Sequence, residues 1–316
     1  MTMAHASQTD ARPELSVKGF LVLSRIPFLS PGLAAIVTGI MLASIMEGIA
    51  EPGLVWMSVA GITLIMLATY YFNEYYDYEG DIINKKFIKF SGGSRAIPDL
   101  HVPRKVARAA GWGAVAALGV IALVYLLFYF RDFPLLLPLA LFGAFCGVFY
   151  SHPPFQWAYQ GIGEIVIGGC YGVLAVVSGF YLASGVFSLE MAVVAIPASL
   201  TVFGIIVANE FPDYEADKVV NKRNLIVRLG IKRGSYVYMA AMVLTYPAML
   251  ASMLVGMPWT VAVAGLPVLL LTVAPVALVL KGGLASPASQ TKISGLTIVA
   301  NVFASLMFIP AVWLGT

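Results

Sequence analysis

Residues 53–81 read GLVWMSVAGITLIMLATYYFNEYYDYEGD, and the change of character inside this stretch decides the fold. No charge occurs from Gly53 to Phe72, a run of the roughly 20 apolar residues that one α-helix needs to cross a bilayer. The run then ends in Asn73 and a cluster of four acids: Glu74, Asp77, Glu79 and Asp81. A second copy stands at Asn209-Glu210-Phe211-Pro212-Asp213-Tyr214-Glu215-Ala216-Asp217, identical to the first at six of nine positions. The two copies hold half of the chain's 16 acidic residues. Negative charge is therefore gathered at two places, each at the end of an apolar run, where a metal and a polyphosphate can be held.

The rest of the sequence extends this pattern. Hydrophobic residues make up 60% and charged residues 11%, against about 25% charged in soluble domains, and the mean hydropathy is +0.88. Such a composition describes an all-α, polytopic membrane protein. Spanning runs read at 26–46, 53–76, 106–130, 133–150, 161–184, 189–211, 236–255, 258–280 and 293–314. They predict nine transmembrane helices in one bundle around a central cavity, a single transmembrane domain over 1–316 with a polar N-terminal tail at 1–18. The tail lacks an apolar core with a small-residue cleavage site, so no removable signal peptide is expected and the first helix inserts itself.

Lys and Arg collect in cytoplasmic loops, which orients the nine helices. With the N-terminus inside, every basic residue except Arg131 lies in or beside the tail or the loops at 77–105, 151–160, 213–235 and 281–292. The protein is thus expected in the cell membrane with both motifs at the cytoplasmic face. The motif-bearing helices, second and sixth, are separated by an even number of crossings and reach the same side. The net charge of +3 suits loops lying against anionic headgroups and does not suggest nucleic-acid binding. Cys146 and Cys170 fall within predicted helices and read as small packing residues.

In each copy the Asn and the two Asp residues are four apart, a spacing that aligns them on one helical face. Asn73, Asp77 and Asp81 form one line of oxygen ligands; Asn209, Asp213 and Asp217 form the other. Such ligands suit Mg²⁺, which binds one or two carboxylates, retains waters and takes substrate phosphates. Asp77, Asp213, Asn73 and Asn209 are the expected catalytic set. Pro212 predicts a kink or an end to the sixth helix, which would take Asp217 off the line. Glu74, Glu79, Glu210 and Glu215 lie off the Asn/Asp face. The alternative for a single copy is a solvated helix end; duplication at equal spacing argues against it.

Basic residues follow each copy, among them Lys85 and Arg95 after the first and Lys218, Lys222 and Arg223 after the second. They serve either as topology determinants or as contacts for a diphosphate leaving group. Arg95, after Ser91-Gly92-Gly93-Ser94, is placed on a flexible stretch able to approach a phosphate closely. His152 reads either as a proton acceptor or as an ordinary loop histidine.

Two Asn-x-x-x-Asp-x-x-x-Asp motifs at the cytoplasmic ends of helices two and six of a nine-helix protein resemble the UbiA superfamily of intramembrane prenyltransferases. Within it, three stretches resemble the 1,4-dihydroxy-2-naphthoate polyprenyltransferases of menaquinone synthesis. These are Ser91 to Ala96, Tyr150 to Tyr171 with its Tyr159-Gln160-Gly161-Ile162-Gly163-Glu164 segment, and Lys222 to Gly230. Arg25 and Pro27 resemble that family's Arg-Pro start, with Ile26 inserted, and Arg25 joins the diphosphate contacts. In 4-hydroxybenzoate transferases a Lys follows the Tyr ending helix four, whereas Ser151, His152 and two prolines follow Tyr150 here.

The resemblance implies Mg²⁺ as cofactor, an isoprenyl diphosphate and an aromatic acceptor as partners within membrane lipid, and transfer of the isoprenyl group to the acceptor. In the menaquinone branch it implies substitution at the carboxyl-bearing carbon with loss of CO₂. Other transferases of the superfamily, using 4-hydroxybenzoate, homogentisate, chlorophyll, haem O or lipid acceptors, and terpene cyclases remain alternatives. A secondary transporter also carries intramembrane acids, but usually near the midplane on broken helices.

Overall fold

The computed structural model describes residues 16–48 and 51–315, so the polar tail lies almost wholly outside the described residues. Helix α1 (Val17–Leu23) begins within the stretch read as tail, capped where Ser16 Oγ accepts from Gly19 N at 3.0 Å. Arg25 then takes a left-handed conformation, φ 46°, and a 3₁₀ turn at Ile26–Leu29 leads into α2 (Ser30–Met46). The first predicted span, 26–46, is therefore the 3₁₀ turn and α2, and α1 is a further short helix before it, set off by the bend at Arg25. Pro27 and Pro31 supply no backbone donor and favour helix starts over helix interiors there.

Helix α3 (Pro52–Tyr76) carries the first motif, and Asp77 joins it to the short α4 (Tyr78–Ile83). After an irregular segment follow α5 (Arg104–Phe128) and α6 (Leu136–Phe149). Helix α7 (Gly163–Gly169) continues through a π-helical turn at Cys170–Leu174 into α8 (Ala175–Ser184). Then come α9 (Glu190–Val194), α10 (Ile196–Val219), α11 (Leu225–Ala251), α12 (Thr260–Ala264), α13 (Leu266–Leu280), α14 (Pro287–Leu306) and α15 (Phe308–Gly315). No strand occurs among the described residues.

Six of these helical stretches are long and apolar enough to cross a membrane; α6 and α13 are apolar but shorter. Helix faces carry exposed Leu127, Leu254 and Leu270, as expected where the surrounding solvent is lipid and every backbone polar group is satisfied inside its own helix. Small residues let helices meet closely. A Cβ on Gly39 of α2 would lie 2.1 Å from the Val176 carbonyl of α8, and one on Gly179 would lie 2.3 Å from that of Ile36. Buried hydrogen bonds fix α14 to its neighbours: Tyr238 and Thr297 hydroxyls at 2.6 Å, and Asn301 Nδ2 to Thr201 Oγ1 at 2.9 Å. Both cysteines are buried and free.

Two expectations at the second motif are corrected. Helix α10 does not end at Pro212 but runs through it to Val219, keeping Asp217 on the helix and buried. Proline removes one backbone donor, and the residues beyond it are tied down by the side-chain bonds described below. The expected loop at 213–235 shrinks to 220–224 and a break at Gly230, φ 75° and ψ 158°, because a short first segment of α11 starts at Leu225. Its basic residues do not oppose a helix, and its four leading N–H groups all find acceptors. Leu225 N donates to Glu164 Oε1 at 2.8 Å, Ile226 N to Glu210 Oε2 at 3.3 Å, Val227 N to Asn224 Oδ1 at 2.9 Å and Arg228 N to the Asn224 carbonyl at 3.0 Å.

Candidate active site

The first acidic line stays helical across the junction of α3 and α4, since Asp77 N donates to the Asn73 carbonyl at 2.8 Å and Asp81 N to that of Asp77 at 3.0 Å. The second lies along α10. Asn73, Asp77, Asp81, Asn209, Asp213 and Asp217 all line one cleft, joined there by Arg25 and Lys222. Asp77, Asp81 and Asp217 are buried. Several carboxylates facing one another in a buried place require partners, and the cleft provides them across its width.

Asp77 accepts from Asn73 Nδ2 at 2.7 Å and from the Tyr159 hydroxyl at 2.8 Å, and pairs with Lys222 Nζ at 2.6 Å. Asn73 Nδ2 also donates to Ser151 Oγ at 3.3 Å. Lys222 stands 3.8 Å from Asp217, whose other oxygen accepts from Asn224 Nδ2 at 2.7 Å. Asp213 accepts from Asn84 Nδ2 at 2.7 Å and from Gly92 N at 3.2 Å. The segment after each motif thus reaches the carboxylates of the other copy.

Gly92 and Gly93 have φ of +73° and +70°, the left-handed region that glycine enters at no steric cost. A Cβ at Gly93 would stand 2.0 Å from Asp81 Oδ2, so this backbone lies directly on the end of the first acidic line. Burial, then the charges of Glu74 and Asp77, push the Asp81 carboxyl well above the usual carboxylate range, with Arg25 opposing. Burial would lower the Lys222 ammonium, but Asp217 and Asp77 hold it well above its ordinary value. Tyr159 is raised, chiefly by burial and then by the Asp77 charge beside it.

Among the described residues no three His, Cys, Asp or Glu side chains converge on one point. An Mg²⁺-type ion does not require that, because it takes one or two carboxylates and completes its shell with phosphate oxygens and water. The residues fit such an ion: the donors on both lines are hard oxygens, and Asn209 Oδ1 is buried with no hydrogen-bond partner on the wall of the cleft. An orphaned buried acceptor is costly unless a ligand, ion or water completes it.

Of the basic residues expected at the diphosphate, Arg25 and Lys222 line the cleft; Lys85, Arg95, Lys218 and Arg223 do not. Lys85, Lys218 and Arg223 are exposed. Arg95 is held by Asp99, with Nε to Oδ2 at 2.9 Å and an ion pair at 2.7 Å, lies 4.2 Å from the Phe87 ring and donates from Nη1 to the backbone carbonyl of Asp81. His152 packs edge-on against Phe72, Tyr76 and Trp112 at 5.8, 5.3 and 5.9 Å and is not on the cleft wall. Sequence reasoning missed Asn84, Ser151, Tyr159 and Asn224 as site partners. Asn84 follows Asp81 by three, a helical spacing that could have found it; Asn224 follows Asp217 by seven, across the turn between α10 and α11, and Ser151 and Tyr159 come from distant segments.

Fold and cleft together define a polytopic helical membrane protein in which a duplicated acidic motif serves one shared polar site. A model of the UbiA prenyltransferase family matches residues 32–296, and the chain belongs to that family. It is similar to the 1,4-dihydroxy-2-naphthoate octaprenyltransferase of Bacillus subtilis, 24% identical over 197 residues, 62% of this chain and 61% of that protein. It also resembles the 2-carboxy-1,4-naphthoquinone phytyltransferase of Synechocystis, 32% identical over 102 residues, 32% of this chain and 33% of the relative. The matched regions span between about a third and three-fifths of these curated relatives. The solved structure of a UbiA homolog from Archaeoglobus fulgidus bound to DMAPP and Mg²⁺ is alike in fold. Its TM-score is 0.60 at 18% identity, covering 91% of this chain and 99% of that one.

Proposed function

We propose that this protein is a Mg²⁺-dependent intramembrane prenyltransferase that moves an isoprenyl group from its diphosphate to an aromatic acceptor, 1,4-dihydroxy-2-naphthoate, in quinone biosynthesis. One observation carries the reading: both acidic lines face one cleft, with the Asn209 oxygen buried and unpartnered on its wall. The DMAPP and Mg²⁺ bound to the Archaeoglobus homolog, and the likeness to a 1,4-dihydroxy-2-naphthoate octaprenyltransferase and a 2-carboxy-1,4-naphthoquinone phytyltransferase, support it. The reading includes nine spans forming one domain over 1–316 in the cell membrane, with the cleft at the cytoplasmic face. Counting α6, α10 and α13 with the six long stretches gives that number, and the basic loops set the orientation.

Asn73, Asp77, Asp81, Asn209, Asp213 and Asp217 would hold the metal. When bound, Mg²⁺ supplies positive charge that draws electron density onto the diphosphate and weakens the allylic C–O bond. Lys222 and Arg25 present cations to the same cleft and stabilise the charge gathered on the leaving group. Tyr159, Asn84 and Asn224 hold the carboxylates in place through the bonds given above. The acceptor ring attacks the allylic carbon through its carboxyl-bearing carbon and then loses CO₂. Apolar helix walls keep water from the reacting carbon.

Purified protein given one prenyl diphosphate and a panel of aromatic and lipid acceptors, with products read by mass spectrometry, tests this. A prenylated, decarboxylated naphthoate is the expected product. Selective prenylation of a chlorophyll precursor or another acceptor would move the protein elsewhere in the family. Solute flux without any diphosphate turnover would replace the enzyme by a transporter.

A further inference from the structure

We propose that Glu74 and Glu210, the second residue of each motif copy, are positioning residues. Each holds the segment that follows its own copy so that this segment reaches the carboxylates of the other.

Glu74 is 1% exposed and is saturated with donors. It accepts from Ser94 N at 2.6 Å, Ser94 Oγ at 2.8 Å and Arg25 Nε at 2.7 Å, and pairs with the Arg25 guanidinium at 2.5 Å. Ser94 is two residues beyond Gly92, whose N–H meets Asp213 of the second copy. Glu210, likewise buried, accepts from Ile226 N, and Glu164 beside it accepts from Leu225 N. These bonds start α11 immediately after Lys222 and Asn224, and Lys222 meets Asp77 of the first copy. The two clamps are therefore equivalent in position within the motif, although their partners differ.

The other motif glutamates mark the contrast. Glu79 and Glu215 are exposed, and neither has a backbone donor among the bonds of the described residues. A buried carboxylate is costly, and well-packed apolar residues often replace one without loss of stability. What Glu74 and Glu210 supply that an apolar residue would not is an acceptor for loop N–H groups at the rim of the cleft. The second half of the inference, an effect on donor binding, rests on the prenyl-transfer reading; the first half, loop retention, does not.

The test uses the full chain in detergent or nanodiscs, as Glu74→Gln, Ser94→Ala, Glu210→Gln and Glu164→Gln. Limited trypsin digestion without metal or substrate, read by mass spectrometry, reports each loop through its own sites: Lys85, Lys86 and Lys89, or Lys222 and Arg223. Losing hydrogen bonds to a charged acceptor is worth about tenfold or more in a local opening equilibrium. Glu74→Gln and Ser94→Ala should speed cleavage in the first loop by about that factor and leave the second unchanged. Glu210→Gln and Glu164→Gln should do the reverse. Donor KM should rise by about tenfold in the same variants, with kcat and acceptor KM changed far less.

Unchanged cleavage, or equal acceleration in both loops, would overturn the clamp, as would a fall in kcat alone. Should either glutamine variant of a motif glutamate fail to fold, Ser94→Ala decides the first clamp and Glu164→Gln the second. Loop-selective cleavage in a protein that turns over no prenyl diphosphate would sustain loop retention and sink the transferase reading, which keeps the two failures apart.

Discussion

Asp77→Asn is the substitution whose consequences the cleft specifies most fully. The amide has the shape of the carboxylate, and one orientation keeps its contacts: the carbonyl oxygen faces Asn73 Nδ2 and Lys222 Nζ, while the amide nitrogen faces the Tyr159 hydroxyl. What disappears is the charge. Lys222 loses its partner at 2.6 Å and retains Asp217 at 3.8 Å. Breaking a buried pair costs about 3–5 kcal/mol, and the surviving Asp217 reduces this to about 1–3 kcal/mol, the range of a hydrogen bond to a charged group. Sequence reasoning alone expects folding to be nearly unaffected; the ion pair makes a measurable loss in the metal-free protein the better expectation. If Asp77 also holds the metal on the diphosphate, turnover should fall by on the order of a hundredfold or more, about 2.7 kcal/mol of barrier. Asp213→Asn should act similarly on turnover, with Asn84 and Gly92 as the groups it deprives. Glu79→Gln is the control: Glu79 is 68% exposed and 3.4 Å from Arg104, an arrangement worth less than about 1 kcal/mol. Glu215→Gln is a second exposed control. The assay is prenyl diphosphate turnover by mass spectrometry at matched protein in the same membranes, with thermal stability measured in parallel. Equal turnover of the four variants would refute the paired acidic site.

Exhaustive chelation should abolish turnover and Mg²⁺ should restore it best, because every proposed ligand is a hard oxygen; full activity in excess chelator would exclude the mechanism. Because burial and the neighbouring Glu74 and Asp77 raise the Asp81 carboxyl, it retains a proton at pH values where an ordinary Asp, near pH 4, has lost it. Mg²⁺ binding should then release protons and weaken as pH falls through the raised value, measurable by calorimetry in buffers of differing ionisation enthalpy; no buffer dependence would count against it. Gly93→Ala sets a methyl 2.0 Å from Asp81 Oδ2 at a φ of +70°, so metal affinity should drop by about tenfold or more, the effect of a strained backbone costing about 1–3 kcal/mol. Retained affinity would mean the loop does not lie on Asp81 in solution.

The helical runs and both acidic lines were legible because they rest on local signals. Apolar length marks the helices, and a four-residue spacing marks the lines. Pro212 misled because proline acts locally, whereas the helix beyond it is held by the Asp213–Asn84 bond, across 129 residues, and by the Asp217–Asn224 bond to the start of α11. The basic residues were only half legible. Lys85 and Lys222 look equivalent in sequence, each a lysine shortly after a motif, yet one is solvent-exposed and the other is mostly buried between two carboxylates. Arg95 follows a flexible stretch in the sequence, but it is Gly92 and Gly93 that approach the carboxylates, while Arg95 pairs with Asp99 and donates to the backbone carbonyl of Asp81. Tyr159 and Ser151 had no signal because their relation to Asp77 and Asn73 is made by the fold alone.

Ligands entering the cleft meet acids that already have partners. In the described structure Asp77 has Lys222, Asp213 has Asn84 and the Gly92 N–H, and Asp217 has Asn224. A cation entering the cleft therefore competes with donors of this chain and does not meet bare carboxylates. On the proposed reading that competition frees Lys222, whose positive charge then has to be matched by something else in a largely buried position. A diphosphate supplies the matching charge. Metal alone should accordingly bind weakly, and metal with diphosphate together much more tightly, since each relieves a charge that the other leaves unpaired. Lys222→Met should invert the balance, tightening metal binding in the absence of diphosphate while weakening the diphosphate-dependent gain. Calorimetric titrations of Mg²⁺ with and without inorganic diphosphate measure both terms, and a Lys222→Met variant that keeps the full gain would show that Lys222 is not the group released.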